Sequence, residues 1–229
     1  MEFDAIIFDF GNTLVPWGEQ QGRALYESVH SALDPIDDFQ AKARRAHMGL
    51  VRERENGSMR EVTCAEFVSK IMGANQPPEL IERVAAEAHR AFVELCEIPD
   101  HVRPLLERLG ERYKLAVLSN FFLEGPVEEV LQRGGLWDLF VHVEISAREG
   151  WMKPHPAPFD TVRAALGTDF ERTLMVGDDF FADVVGAYRA GLLTALTHEY
   201  QQMEPFDARA PEVSADRILS SLDELAGQS

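Results

Sequence analysis

The run Ala5-Ile6-Ile7-Phe8 ends at a single carboxylate, Asp9, and a tight turn, Gly11-Asn12, follows at once. An apolar run bounded by turn chemistry reads as a buried strand of a parallel sheet. A carboxylate at the mouth of such a strand stands where open α/β sheets bind ligands. A lone aspartate opening a turn has the same local pattern, so the reading depends on what the rest of the chain repeats.

Two later runs repeat it. Leu115-Ala116-Val117-Leu118 leads into Ser119-Asn120, and Thr173-Leu174-Met175-Val176-Gly177 leads into Asp178-Asp179, with Asp183 close behind. Between them, Lys153-Pro154-His155-Pro156-Ala157-Pro158-Phe159 sets a lysine among prolines that fix the backbone, ahead of a helical stretch. From Ile98-Pro99-Asp100 onward, helices over about 101–110, 125–134, 156–166 and 181–190 alternate with strands over about 114–119, 141–146, 173–177 and 192–197. Such alternation implies parallel strands joined by right-handed crossovers, hence an α/β fold built on a doubly wound parallel sheet.

Residues 19–97 interrupt that pattern and contain no strand-like run. Their periodicity predicts helices over about 19–33, 37–55, 61–73 and 78–96. Turn chemistry breaks them at Asp34-Pro35, at Asn56-Gly57 and from Gly73 to Pro78. Helix starts are signalled by Asp37 or Asp38, and by Thr63 with Glu66 as a capping box. An all-helical insert between two strands of one sheet predicts a separate cap domain. The expected division is a core of residues 1–15 and 99–229 and a cap of 16–98, hinged at Pro16-Trp17-Gly18 and Ile98-Pro99-Asp100. From about Glu199 the tail carries no motif and predicts one weakly amphipathic helix over about 217–226.

Asp9, Ser119, Lys153 and the Asp178/Asp183 pair, in that order, resemble the four motifs of the haloacid dehalogenase superfamily, and the resemblance spans essentially the whole chain. It implies a Rossmann-like core and phosphomonoester hydrolysis in which Asp9 attacks phosphorus and water then hydrolyses the aspartyl-phosphate. It also implies Mg²⁺ as cofactor, held by Asp9, the Gly11 carbonyl and Asp178, with Asp183 holding a metal-bound water or bracing Lys153. Lys153 then supplies a compact positive charge to the phosphoryl group. Ser119 and the backbone N–H of Asn120 bind phosphate oxygens, and Asn120 has a second possible role as a helix cap. Elementary electrostatics agrees, because three carboxylates and a phosphate dianion need divalent and lysine charge to share a small site. Asp179 either joins the metal site or points away from it and caps the following helix, while His155 is expected to be a loop residue and Gly177 to permit a tight turn.

The chain departs from the family pattern at one position. The usual first motif carries a second aspartate two residues after the nucleophile, which exchanges protons with the leaving group and with water. Here Gly11 stands there, followed by Asn12, both expected beside the substrate. Glycine keeps the backbone carbonyl but loses proton transfer, typically worth ~10²–10⁴ in rate. The expected substrate is therefore a small metabolite phosphate with a good leaving group: an aryl, acyl or anomeric sugar phosphate. Glu19 or Asp179 is a candidate replacement acid. In the basic stretch 42–54, Arg45 or Arg52 is a candidate to reach an anionic substrate group, the alternative being a solvated helix face. Trp17 either lines the pocket or packs the hinge.

Rival readings remain. A metal-independent 2-haloacid dehalogenase shares the nucleophile, but usually carries an aromatic residue at the Gly11 position and lacks the paired carboxylates. A phosphonatase or a sugar-phosphate mutase is a further alternative; a phosphonatase would need a cap lysine, for which only Lys42 and Lys70 are available. A catalytically weak binding or regulatory protein would not need to retain Asp9, Ser119, Lys153, Asp178 and Asp183 together.

The formal charge of −17 over 229 residues argues against nucleic acid and anionic membrane surfaces as partners. No apolar run approaches the ~20 residues of a membrane helix. The acidic start Met1-Glu2-Phe3-Asp4 is unlike a signal peptide, and Cys64 and Cys96 form no paired motif, so a cytoplasmic monomer or homodimer is expected.

Overall fold

The computed structural model describes residues 2–33, 35 and 37–227. The first strand, β1 (Ala5–Phe8), is wholly buried, as its apolar run requires. Four helices follow: α1 (Glu19–Ala32), α2 (Phe39–Glu55), α3 (Cys64–Met72) and α4 (Pro78–Leu95). The capping box at Thr63 forms, with Glu66 returning to the Thr63 backbone, and Pro78 opens α4 where a missing N–H costs nothing. Asp38 precedes α2 in a left-handed conformation and makes no side-chain cap. Asp34, expected at the first break, lies outside the described residues. The four helices bury a cluster of their own, including Val29, Ala43, Val68, Val84 and Ala88.

The remainder alternates: α5 (Val102–Gly110), β2 (Lys114–Ser119), α6 (Pro126–Arg133), β3 (His142–Ile145), α7 (Ser146–Glu149), α8 (Pro156–Leu166), β4 (Thr173–Gly177), α9 (Gly186–Ala190), β5 (Leu193–Thr197) and β6 (Arg217–Leu219). All strand pairings are parallel, in the order β3-β2-β1-β4-β5-β6. Successive β1 side chains feed opposite layers. Ile6 and Phe8 pack with Leu105, Leu106 and Leu131 of α5 and α6, while Ala5 and Ile7 pack with Phe159, Val162 and Leu166 of α8. The chain leaves β1 toward β2 and β3, then returns to its other side at β4, so the crossover direction reverses at β1. Phe8 is level with both Val117 and Val176, which brings Asp9, Ser119 and Asp178 out at the same sheet edge.

The structure corrects two of the expected elements. The tail forms no helix over 217–226; Arg217–Leu219 pairs with β5, and only Leu222–Leu225 makes a 3₁₀ turn. Leu219, Leu222 and Leu225 are all buried, a three-residue spacing that mimics a helical stripe, but the open edge of β5 recruits the first of them into the sheet. The helix expected over 181–190 is a π-helical turn, Phe180–Val185, running into α9. The wider turn holds Asp183 buried and facing the sheet edge.

The helical segment touches the core close to Lys153. Arg60 forms an antiparallel bridge with Trp151, Glu61 N donates to Gly150 O at 2.8 Å, and Met152 N donates to Met59 O at 2.8 Å. Glu61 is buried there, accepting from Val62 N at 2.9 Å and from the Ser146 hydroxyl. Among the described residues, no helix is long and apolar enough to cross a membrane.

Candidate active site

Lys153 is the centre of the site. Its Nζ lies 2.6 Å from Asp9 Oδ1 and 2.7 Å from Asp183 Oδ1, and it donates to Leu118 O at 2.7 Å. The residue is only 3% exposed, so the ammonium exists there because these oxygens replace water. The lysine loop is fixed from β2: Asn120 accepts from Lys153 N at 2.8 Å through Oδ1 and donates to Lys153 O at 3.1 Å through Nδ2. Both ends of the Asn120 side chain are thereby used. It does not cap α6, whose N-cap is Gly125. On the opposite side of the loop, Gly186 approaches so closely that a Cβ there would meet the Pro154 Cα at 2.9 Å.

Asp9, Asp178 and Asp183, all buried, bring one carboxylate oxygen each within 4.8 Å of one another. Asp183 Oδ2 accepts from Asp179 N at 3.0 Å. Asp179 Oδ1 accepts from Phe181 N and Ala182 N, both at 2.8 Å, so Asp179 caps the π turn, as its position after the strand suggested. Burial pushes Asp178 up to about 7, the Asp183 charge adds to this, and a hydrogen bond from Gln201 partly relieves it. Burial likewise raises Asp9 and Asp183, opposed by Lys153. Burial works against the Lys153 charge, but Asp183 and Asp9 outweigh it and hold the ammonium above its ordinary value. Three hard-oxygen donors offset by one ammonium form a donor set suited to a divalent cation such as Mg²⁺.

A cavity of about 300 Å³ opens onto this cluster. Asp9, Gly11, Ser119, Asn120, Lys153, Asp178, Asp179 and Asp183 line it from the core, and Trp17 with Gly22, Leu25 and Tyr26 of α1 line it from the helical segment. Trp17 fills both expected roles, since it also packs against Phe92 with ring centroids 4.9 Å apart.

Other residues singled out in the sequence take their own places around the cluster. Asn12, at φ 53°, turns its Oδ1 to Trp17 N at 2.9 Å and braces the turn. Glu19 is exposed and ion-paired with Arg23 at 3.0 Å, away from the cavity. Lys70 pairs with Glu53 at 2.8 Å. Arg45 and Arg52 are exposed, and neither lines this cavity. The α2 residues that line a cavity beside the site are half-buried Leu50 and Val51 together with exposed His47 and Arg54. At about 100° per residue, 45 and 52 share a face roughly opposite that of 47 and 54. His155 is a loop residue: its Nδ1 accepts from Ala157 N at 3.2 Å, and its ring stacks on Trp151 at 4.1 Å. Gln201, which touches Asp178, is a residue sequence reasoning missed, because no local pattern marks a glutamine in an irregular loop.

A haloacid dehalogenase-like hydrolase model matches residues 3–191. Among curated proteins, the chain is 26% identical over 226 residues to the glyceraldehyde 3-phosphate phosphatase of Methanopyrus kandleri, covering 96% of this chain and 95% of that one. It is 28% identical over 229 residues to the pyrimidine 5'-nucleotidase YjjG of Escherichia coli, covering 98% and 97%. Among solved structures, the YfnB protein of Bacillus subtilis bound to magnesium superposes with a TM-score of 0.71 at 20% identity, covering 99% and 98%. That last likeness is one of fold.

Proposed function

The chain belongs to the haloacid dehalogenase-like hydrolases, and from that premise we propose that it is a Mg²⁺-dependent phosphomonoesterase acting through Asp9. The observation that carries this reading is the buried cluster of Asp9, Asp178 and Asp183 around Lys153. The curated relatives named as a phosphatase and a nucleotidase, both matched along nearly their whole length, support the phosphate-ester chemistry.

An Asp9 oxygen attacks phosphorus, the bond from phosphorus to the ester oxygen breaks, and the leaving group departs as an oxyanion. Water then cleaves the aspartyl-phosphate, returning the carboxylate and releasing phosphate. Asp9, Asp178 and Asp183 are the residues that would hold Mg²⁺, with the Gly11 carbonyl beside them. The cation would supply charge compensation between the carboxylates and the phosphoryl oxygens. Lys153 holds Asp9 in place and offsets the charge of the incoming dianion; Ser119, buried at the end of β2 in the same cavity, is positioned to donate to a phosphoryl oxygen. The helical residues 16–98 act as the cap, closing the cavity from the α1 side and excluding water from it.

Among the described residues, neither candidate for the proton transfer that Gly11 lacks is held for that task. Glu19 is exposed, and Asp179 is used as a helix cap. The enzyme is therefore suited to leaving groups that depart unprotonated. The test is phosphate release from para-nitrophenyl phosphate and a panel of alkyl, acyl and sugar phosphates, in Mg²⁺ and in EDTA, for wild type and Asp9→Asn. Metal-dependent release abolished by the substitution is the expected result. Release from no substrate, with chloroacetate hydrolysed instead, would replace this reading with dehalogenation.

A further inference from the structure

A second cavity, of about 210 Å³, adjoins the first and shares Leu25, Tyr26, Asn120 and Phe121 with it. Its walls are aromatic and aliphatic. Phe67 packs between Tyr26 and Phe122 with ring centroids 6.2 Å apart in each case, and Phe121 lies 5.0 Å from Phe122. Two polar side chains that touch it are already committed elsewhere: Glu61 accepts from Val62 N and the Ser146 hydroxyl, and Asn120 is held by the Lys153 backbone. The polar groups left to meet a ligand are the Tyr26 hydroxyl, which is 3.3 Å from His47 Nδ1, together with His47 and Arg54 on exposed positions of α2. Arg54 makes no ion pair with a described side chain.

We infer that this cavity is the leaving-group site, and that the leaving group is a phenol carrying an anionic substituent at its far edge. The inference rests on the phosphomonoesterase reading and deepens it. Two independent features converge on that chemistry. A sugar or short polyol would leave its hydroxyls facing Phe67, Phe121 and Phe122 without partners, a cost a flat ring does not incur. A phenolate also departs without the proton that Gly11 cannot give, whereas an alkoxide does not. The Arg54 guanidinium lines this cavity and not the one lined by the three carboxylates of the core, so a negative substituent is directed there.

The experiment separates the pocket from the chemistry. Saturation-transfer NMR measures binding of 4-hydroxybenzoate to wild type, Val51→Trp and Arg54→Ala, and steady-state kinetics give KM for 4-carboxyphenyl phosphate and phenyl phosphate. The expected result is 4-hydroxybenzoate contact that Val51→Trp abolishes by filling the cavity. Arg54→Ala is expected to raise KM for the carboxylated substrate about tenfold more than for phenyl phosphate. Because Arg54 is exposed, that variant keeps the test valid should Val51→Trp fail to fold by circular dichroism. Binding that both folded variants leave intact, or no binding to wild type, overturns the inference. Absence of turnover with every phosphate, alongside pocket-dependent binding of 4-hydroxybenzoate, would instead overturn the phosphomonoesterase reading and leave the aromatic site standing.

Discussion

Gly177 lies directly against Asp183: a Cβ at position 177 would sit 2.1 Å from Asp183 Oδ2 and 2.6 Å from its Cβ. Those contacts are far inside van der Waals separation, and Asp183 is itself held at the sheet edge by Asp179 N and Lys153. Glycine is the residue that lets the strand end and the π turn approach this closely. Gly177→Ala is expected to displace Asp183, lower stability by about 1–3 kcal/mol as overpacking does, and weaken Mg²⁺ binding. Thermal denaturation and calorimetric Mg²⁺ titration read the two effects separately.

The carboxylate cluster makes the metal-free protein sensitive to pH. Burial pushes Asp178 up to about 7 from an ordinary 3.8, and raises Asp9 and Asp183 as well. A raised carboxylate binds more protons folded than unfolded, so stability falls as pH rises from about 4 to about 7. Lys153, held above its ordinary value, stays charged throughout that window and adds no slope. Urea denaturation in EDTA at pH 5, 6 and 7.5 is expected to show this decline, a flatter one in Asp178→Asn, and its removal by saturating Mg²⁺. A pH-independent midpoint in EDTA would contradict it.

Position 11 is open to a side chain. A Cβ on Gly11 would meet only the Trp17 Cβ, at an ordinary 3.8 Å. Gly11→Asp is therefore expected to fold and to supply a proton donor beside Asp9. Turnover of alkyl phosphates should rise by about tenfold or more, within the range of general acid catalysis, while para-nitrophenyl phosphate changes little. The slope of log kcat against leaving-group pKa measures the difference.

Ser146 joins the helical segment to the core. Its hydroxyl donates to buried Glu61 and accepts from Phe121 N at 2.9 Å. Ser146→Ala leaves a carboxylate oxygen and a backbone N–H without that partner, a loss of about 1–3 kcal/mol for a buried polar group. The expected signature is a lower urea midpoint with a higher KM, since the same contact borders the lysine loop. Ser146→Thr, which retains the hydroxyl, is expected to recover part of both.

Much of this protein was encoded locally. Apolar runs ending at Asp9, Ser119 and Asp178 specified a parallel sheet with polar groups at one edge, because strand burial depends on residues adjacent in sequence. The helical insert, the capping box at Thr63 and the cap at Asp179 were legible for the same reason: each is a pattern within a few residues. Tertiary structure alone decided which face of α2 borders a cavity, so that His47, Leu50, Val51 and Arg54 line it while Arg45 and Arg52 lie on the opposite face. It also turned a helix-like tail into β6, directed Asn120 to the lysine loop 33 residues away, and set Gln201 against Asp178 across 23 residues of chain. Periodicity states that a face is buried, but the partner it is buried against is chosen by packing between elements distant in sequence.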